Sequence, residues 1–373
     1  MTVLILGFPR DIHIHAVRWA IEQAGGRHHT VYTPDLPLVL RSSMHITQTS
    51  QALSVRDGRS HGVSGDWSTV WFRRSGLPMR PPGMSDADWA VASRECDYHI
   101  RNVRRLIAPD AFWVNDIAAR EVMLLKMPQL IAAAQCGFAI PETLYSNDPD
   151  EIRRFWGEHR KAGVIFKLHL QTHWHAQSSG ERHALFTTEL RQENLQDDAP
   201  LAGCPAIYQR KVEKAYELRV TCMDERCVAI RLDSQSRDST RLDWRSDMVA
   251  PLKPALVALP RTVEERCIAL MRKLGLAFGC IDLIVTPEGE HIFLEVNEMG
   301  QFLWVEQDEP RSELLRCFAT LLLHQQLGPS TRLVGDERLS YAGFLASGAW
   351  ERGYAEDGES HAKYSPPGII DEP

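Results

Sequence analysis

The order of apolar and polar positions divides the chain into an α/β opening, a mixed middle and a strand-rich end. Residues 2–6 form a short apolar run, after which Val17, Ala20, Ile21 and Ala24 recur at helical spacing until Gly25-Gly26 stops them. That β–α start predicts an open-sheet domain, although it lacks the Gly-x-Gly-x-x-Gly turn of a dinucleotide fold. Residues 70–72 predict another strand, ending at Arg73-Arg74. Ser85 then stands where a cap belongs, before a long helix with Trp89, Ile100, Val103 and Ile107 as its apolar positions. Residues 1–115 read as one α/β domain.

A second region starts near Asn115 and runs to about residue 205. Pro128 suits the first position of a helix over 130–136, and Gly137 suits its stop. A strand over 142–145, a helix capped by Asn147 or Asp148, and a strand over 164–168 follow. Residues 171–182 are polar, contain histidines and lack a regular period, which predicts a loop. The third region, 206–328, is strand-rich, with runs at 206–212, 216–222 and 227–233. Thr262-x-x-Glu265 reads as a capping box opening a helix that ends at Gly275. Residues 278–286 and 291–296 predict a hairpin, and 311–326 an amphipathic closing helix. Beyond about residue 330 the chain turns to Gly, Ser, Glu, Asp and Pro, so residues 329–373 are expected to form a tail with little fixed structure.

Composition narrows the class without naming it. A chain of 373 residues with 44% hydrophobic and 24% charged residues should fold, as two or three domains. A net charge of −7 argues against a nucleic-acid protein held by a basic face, while leaving room for a local basic groove that takes an acidic peptide. No run approaches the roughly 18–20 apolar residues of a membrane span, and the start reads as a β-strand and not as a signal peptide. The expected location is the cytoplasm. Eight scattered cysteines read as free thiols; Cys222 and Cys227 flank a predicted turn, but no second pair completes a zinc site.

The chemistry concentrates in the predicted hairpin. Pro287-Glu288-Gly289-Glu290 connects its strands, and if Thr286 faces His291 the pairing runs 285–292, 284–293, 283–294 and 282–295. Asp282 and Glu295 then stand opposite one another, with Cβ atoms roughly 4.5–5.5 Å apart. Asn297 lies two residues further and shares their face. Opposed carboxylates in an otherwise apolar hairpin repel, and a cation removes the conflict. Three oxygen ligands suit Mg²⁺; an ion pair with a nearby Arg or Lys is the alternative.

Two lysines sit in places that need anions. Lys167 interrupts the apolar strand Val-Ile-Phe-Lys-Leu, and Lys126 precedes the helix at Pro128, where backbone N–H groups favour negative charge. Glu217 and Arg219 share one face of a strand, suited to ribose hydroxyls and a phosphate oxygen, or to an exposed ion pair.

In this order the pieces resemble the ATP-grasp superfamily over nearly residues 1–328. The match consists of a lysine before a helix, a strand lysine before a polar loop, a Gln-x-x-Val hinge and an Asp…Glu-x-Asn hairpin. More narrowly the chain is similar to graspetide (microviridin-type) peptide ligases. That likeness rests on Val70-Trp71-Phe72-Arg73-Arg74, Lys126-x-x-Gln129-Leu130, and Gly137 through Thr143. Glu217-Leu218-Arg219-Val220-Thr221, Asp243-Trp244-Arg245 and Phe293-Leu294-Glu295-Val296-Asn297 add to it. The resemblance implies an ATP-grasp fold, α/β (α+β), with an N-terminal open-sheet domain, a small central domain and a larger C-terminal one. It implies that Lys126 and Lys167 hold phosphates, and that Gln209 and the Lys211-Val212 backbone form an adenine hinge. Glu217 would then lie at the ribose, and Asp282, Glu295 and Asn297 on Mg²⁺. Arg219 and Arg231 would face the transferred phosphate. His169, His173 and His175 stand where relatives are often rich in Gly and Ser, and receive no role.

The implied reaction uses ATP and Mg²⁺ to make an acyl phosphate, which an amine or hydroxyl then captures. The leading expectation is a ligase joining Asp or Glu side chains of a precursor peptide to Ser, Thr or Lys, giving macrocyclic esters or amides. A ligase of free amino acids or small carboxylates, and a non-catalytic ATP-binding protein, are the alternatives. The partner is the precursor peptide, with neither nucleic acid nor membrane, and a homodimer accords with the resemblance. The tail's own mixture of acidic residues with Ser360, Lys363 and Ser365 raises self-modification as a remote option against a simple solvated tail.

Overall fold

The computed structural model describes residues 1–57, 66–169, 173–175, 182–184, 186–246 and 252–360. The N-terminal part contains β1 (Thr2–Gly7), α1 (Ile12–Gln23), β2 (Arg27–Tyr32), β3 (Arg41–Ile46) and β4 (Gln51–Arg56). It continues through β5 (Thr69–Phe72), α2 (Asp86–Leu106) and β6 (Phe112–Val114). Four of these strands make a parallel sheet in the order β2-β1-β5-β6, while β3 and β4 pair as a separate hairpin. Parallel strands need crossovers, which α1 and α2 supply. Asp11 caps α1 and Ser85 caps α2, each accepting a backbone N–H two or three residues on.

The middle holds α3 (Ile117–Met123), α4 (Lys126–Gln135), β7 (Thr143–Ser146), α5 (Pro149–Glu158) and β8 (Val164–Lys167). The short strands β9 (His173–His175) and β10 (Arg182–Ala184), then β11 (Thr188–Glu189), α6 (Asp198–Gly203) and β12 (Ala206–Arg210), complete it. Strands β11-β8-β12-β7 form an antiparallel sheet. The stretch predicted as loop contains β9, which pairs antiparallel with β10 at that stretch's end. Residues 171–172 and 176–181 of that stretch lie outside the described residues. α4 begins at Lys126 rather than at Pro128, and Asp148 supplies the cap of α5.

A five-stranded antiparallel sheet, β15-β14-β13-β16-β17, dominates the rest. Its strands are β13 (Tyr216–Met223), β14 (Arg226–Leu232), β15 (Ala255–Val257), β16 (Phe278–Val285) and β17 (His291–Asn297). Helix α7 (Arg261–Leu274) covers one face, where Leu218, Val220, Ile281, Leu283 and Phe293 pack against Leu270, Met271 and α4's Leu130 and Ala133. The expected capping box is absent: Pro260 is the cap residue, no side chain bonds to it, and Glu265 pairs instead with Arg261. α8 (Leu303–Asp308) and α9 (Leu314–His324) follow. The predicted single helix over 311–326 is interrupted, because Glu313 takes a left-handed conformation before α9 begins.

The expectation of an unstructured tail is corrected for residues 330–360. Leu333, Leu339, Tyr341 and Phe344 are buried, and α10 (Tyr341–Ala346) and α11 (Ala349–Ser360) pack with α1 and α9 in the largest core cluster. Residues 361–373, with Lys363 and Ser365, lie outside the described residues, as does the Ser360 side chain. No described helix is long and apolar enough to cross a membrane.

Candidate nucleotide and metal site

The β11-β8-β12-β7 sheet and the five-stranded sheet face one another across a cavity of about 470 Å³. Strand alternation aims the polar side chains into it. On β13, Glu217 lines the cavity and Arg219, on the same face, reaches Asp282, while Leu218 and Val220 enter the core; on β16, Asp282 and Ile284 alternate with Ile281 and Leu283. Ile165 and Lys167 of β8 line the opposite wall, while Val164 and Phe166 pack in the cluster beneath it.

Asp282 and Glu295 are register partners. They become so by a route that simple counting does not give. The outer pairs are Val285–His291, Ile284–Ile292 and Leu283–Phe293, one residue off the predicted pairing, and a bulge at Leu294 then restores the partnership. Lys126 reaches Glu295 with a 2.8 Å Nζ–Oε2 ion pair, and Arg245 Nη1 approaches the other oxygen at 3.7 Å. Arg219 Nη1 donates to both Asp282 oxygens, at 3.2 and 3.3 Å.

Charge in this cavity is unevenly balanced. Burial pushes the Asp282 carboxyl up; Arg219 opposes the shift and Glu295 adds to it, leaving a pKa of about 6. Burial would also raise Glu295, but Lys126, Arg245 and Lys167 together hold it well below the usual carboxylate range. Burial pulls the Lys167 amine down to about 8, Glu295 resisting and Lys126 reinforcing. Arg245 is held in place by Asp243 through two hydrogen bonds of 2.9 and 3.0 Å, and Thr187 donates to the same carboxylate at 3.2 Å.

The remaining predicted residues divide. Gln209, Lys211, Val212 and Glu217 all line the cavity. Gln209 Nε2 donates to Thr143 at 3.0 Å, and its Oε1 is buried with no partner among the described residues, as is Arg219 Nε. Glu217 takes a 3.0 Å bond from Lys214, and Lys211 pairs with Glu189. Arg231 is not brought to the cavity. It is the cross-strand partner of Leu218 and so shares that residue's face, where it stacks on Tyr216 at 4.0 Å and pairs with Asp233. Asn297 does not line the cavity either: its Oδ1 accepts from Met299 N and Gly300 N, at 3.1 and 3.0 Å.

Sequence reasoning assigned no role to Arg245, Asp243 or Lys214. All three lie on irregular segments where no period shows direction, although Asp243-Trp244-Arg245 stood out as a motif.

As donors, the carboxylates fit a hard divalent cation. Two carboxyl groups face one cavity from adjacent strands, and burial keeps the Asp282 carboxyl raised although Arg219 and Arg245 both oppose it. Asn297, with its oxygen committed to a turn, does not complete the set as it stands.

No family profile matches the chain, and no curated protein matches it. Solved structures do. The macrocyclase MdnC of Microcystis aeruginosa MRC, bound with precursor peptide MdnA, is 29% identical with a TM-score of 0.76, covering 87% of this chain and 100% of that one. A RiPP-associated ATP-grasp ligase of Chryseobacterium gregarium, in complex with ADP and a leader and core peptide, is 26% identical with a TM-score of 0.78, covering 89% and 99%. The macrocyclase MdnB of Microcystis aeruginosa MRC is 26% identical with a TM-score of 0.69, covering 86% and 99%.

Proposed function

We propose, from the premise that this chain is an ATP-grasp ligase of the graspetide type, that it uses ATP to join side chains within a precursor peptide. A peptide Asp or Glu carboxylate takes the γ-phosphoryl group, releasing ADP. A Ser or Thr hydroxyl, or a Lys amine, then attacks the acyl carbon, expels phosphate and loses its proton. The peptide is lighter by one water for each ester or amide formed. The observation that carries this reading is the convergence of Asp282, Glu295, Lys126 and Lys167 on one cavity between two sheets, with Arg219 bonded to Asp282.

Each residue has a part consistent with its position. Gln209 and the backbone of Lys211 and Val212 would take the adenine, and Glu217 the ribose; the unpartnered Gln209 oxygen is a free acceptor for an exocyclic amine. Lys126 and Lys167 would exchange their hold on Glu295 for phosphate oxygens. Asp282 and Glu295 would hold Mg²⁺, which when bound neutralises phosphate charge. Arg245 lines the cavity and Arg219 bonds the Asp282 carboxylate on its wall; the two would steady the group in transfer. Enclosure between sheets keeps water from an acyl phosphate.

The test is phosphate release by the purified protein with ATP and Mg²⁺, with and without a candidate precursor peptide, beside Asp282→Ala. Peptide-stimulated release with peptide mass falling in steps of one water, absent in the variant, is the expected result. Stimulation only by free amino acids or small carboxylates would replace the peptide reading with a small-molecule ligase. No release under any condition would reduce the protein to a nucleotide binder. Sedimentation of the same preparation reads whether it works as a homodimer.

A further inference from the structure

A helix on a protein surface normally keeps its apolar side chains on one face, but α4 is apolar on both. Gln129, Leu130, Ala132 and Ala133 are buried against the five-stranded sheet and α7. Met127, Ile131 and Ala134, at i, i+4 and i+7, lie on the solvent side. Met127 is 46% exposed and Ile131 58%; Leu124 and Leu125, in the turn before the helix, are 61% and 58% exposed. Four large aliphatic side chains within eight residues form a patch of the kind that marks an interaction site.

Its location says what fits there. Lys126 lies between Leu125 and Met127 in the chain, and its amine is in the cavity, 2.8 Å from Glu295. The patch thus borders the cavity at the carboxylate end. The rim at the hinge end is charged instead, with Arg210, Lys211, Glu213, Asp238 and Arg241. A nucleotide spans the cavity and has no use for aliphatic surface outside it. A co-substrate that delivers a carboxylate to the Asp282/Glu295 end comes up to Lys126, and the aliphatic side chains beside that residue lie exposed outside the cavity.

Resting on the ligase reading above, we propose that Leu124, Leu125, Met127 and Ile131 form an apolar lip for the peptide substrate. It receives aliphatic or aromatic side chains flanking the acidic residue that enters the cavity. The lip selects which carboxylate of an acidic peptide is presented, because only one with apolar neighbours gains this contact.

The experiment uses the full chain with ADP and Mg²⁺, and two fluorescein-labelled ten-residue peptides with a single central Glu. One has Leu and Phe flanking the Glu, the other Ser and Gln, and binding is read by anisotropy. The wild type is expected to bind the first roughly tenfold tighter or better. Leu125→Glu and Ile131→Glu should each erase that preference while leaving the melting temperature within about 2 °C, since both sites are exposed. Equal affinity of the wild type for the two peptides, or a preference that survives both substitutions, overturns the proposal. Variants that turn a dimer into a monomer in sedimentation yet keep the preference also overturn it, and make the patch a contact with a second copy. ADP binding by the wild type is measured separately. Its absence would defeat the ligase reading, whereas a preference erased by the variants would still support the lip.

Discussion

A lysine inside an apolar strand is the residue whose behaviour is most open to measurement. Burial holds the Lys167 amine near 8, so part of it is neutral at slightly alkaline pH. Phosphate oxygens favour the charged form, which raises its pKa on binding. Nucleotide binding should therefore take up protons at about pH 8.5 and much less at about pH 7. Calorimetry in buffers of different ionisation enthalpy measures this uptake, and an unchanged uptake in Lys167→Met would sink the assignment. The same variant should weaken ADP binding by roughly tenfold to a hundredfold, from the ~1.5–3 kcal/mol of a charged hydrogen bond. Asp282→Asn keeps the shape but removes a charge, and should lower peptide-dependent phosphate release by roughly 10²–10³-fold; release close to wild type would remove Asp282 from the site. These residues were legible because a charge amid apolar strand positions needs a partner. Arg231 was misread because its face depends on which residue of β13 it opposes, and sequence spacing does not carry that register.

At the scale of elements, the acidic hairpin teaches how a correct pair can come from an incorrect count. The predicted connection was one residue off in the outer rungs, and the bulge at Leu294 compensated, so Asp282 still met Glu295. A bulge has no strong mark in an apolar run such as Ile-Phe-Leu, which is why period alone missed it. What ties this hairpin to α4 is a single buried amide. Gln129 Nε2 donates to Met123 O at 2.9 Å, and its Oε1 accepts from Val296 N at 2.7 Å, one residue from Glu295. The tie fixes the start of α4, and with it Lys126, against the carboxylates. Gln129→Leu fills similar space but leaves a buried N–H and a buried carbonyl unsatisfied. It should cost about 1–3 kcal/mol for each group, visible as a drop of several degrees in thermal unfolding. Unchanged unfolding would mean the amide is dispensable.

The molecule as a whole is closed by a segment whose composition looked disordered. Its acidic residues were counted as solvated, yet Asp357 is buried. It takes a 2.9 Å bond from His15, a 2.7 Å bond from Arg10 N and bonds from Tyr32, so α11 locks onto the turn between β1 and α1. The two helix-weakening glycines of α11 also become intelligible: a methyl at Gly353 would run into the His15 ring, and one at Gly358 would meet Arg10. Only the partner surface, contributed some 340 residues earlier in the chain, reveals why those residue types are there. The lock has a pH signature. Burial works to raise the Asp357 carboxyl, but His15, the Arg10 N–H and Tyr32 hold it below its ordinary value. A carboxylate depressed in the folded state contributes stability above its unfolded pKa of about 3.9, and that contribution is lost as pH falls through the folded value. Asp357→Asn should therefore unfold several degrees below wild type at pH 7, the gap narrowing as pH drops from about 5 toward 3. Gly353→Ala should lower the melting temperature at every pH, because its effect is steric. If the Asp357→Asn gap stays constant with pH, the carboxylate's charge has no part in holding α11, and the helix is kept by Ala349, Trp350 and their apolar neighbours alone.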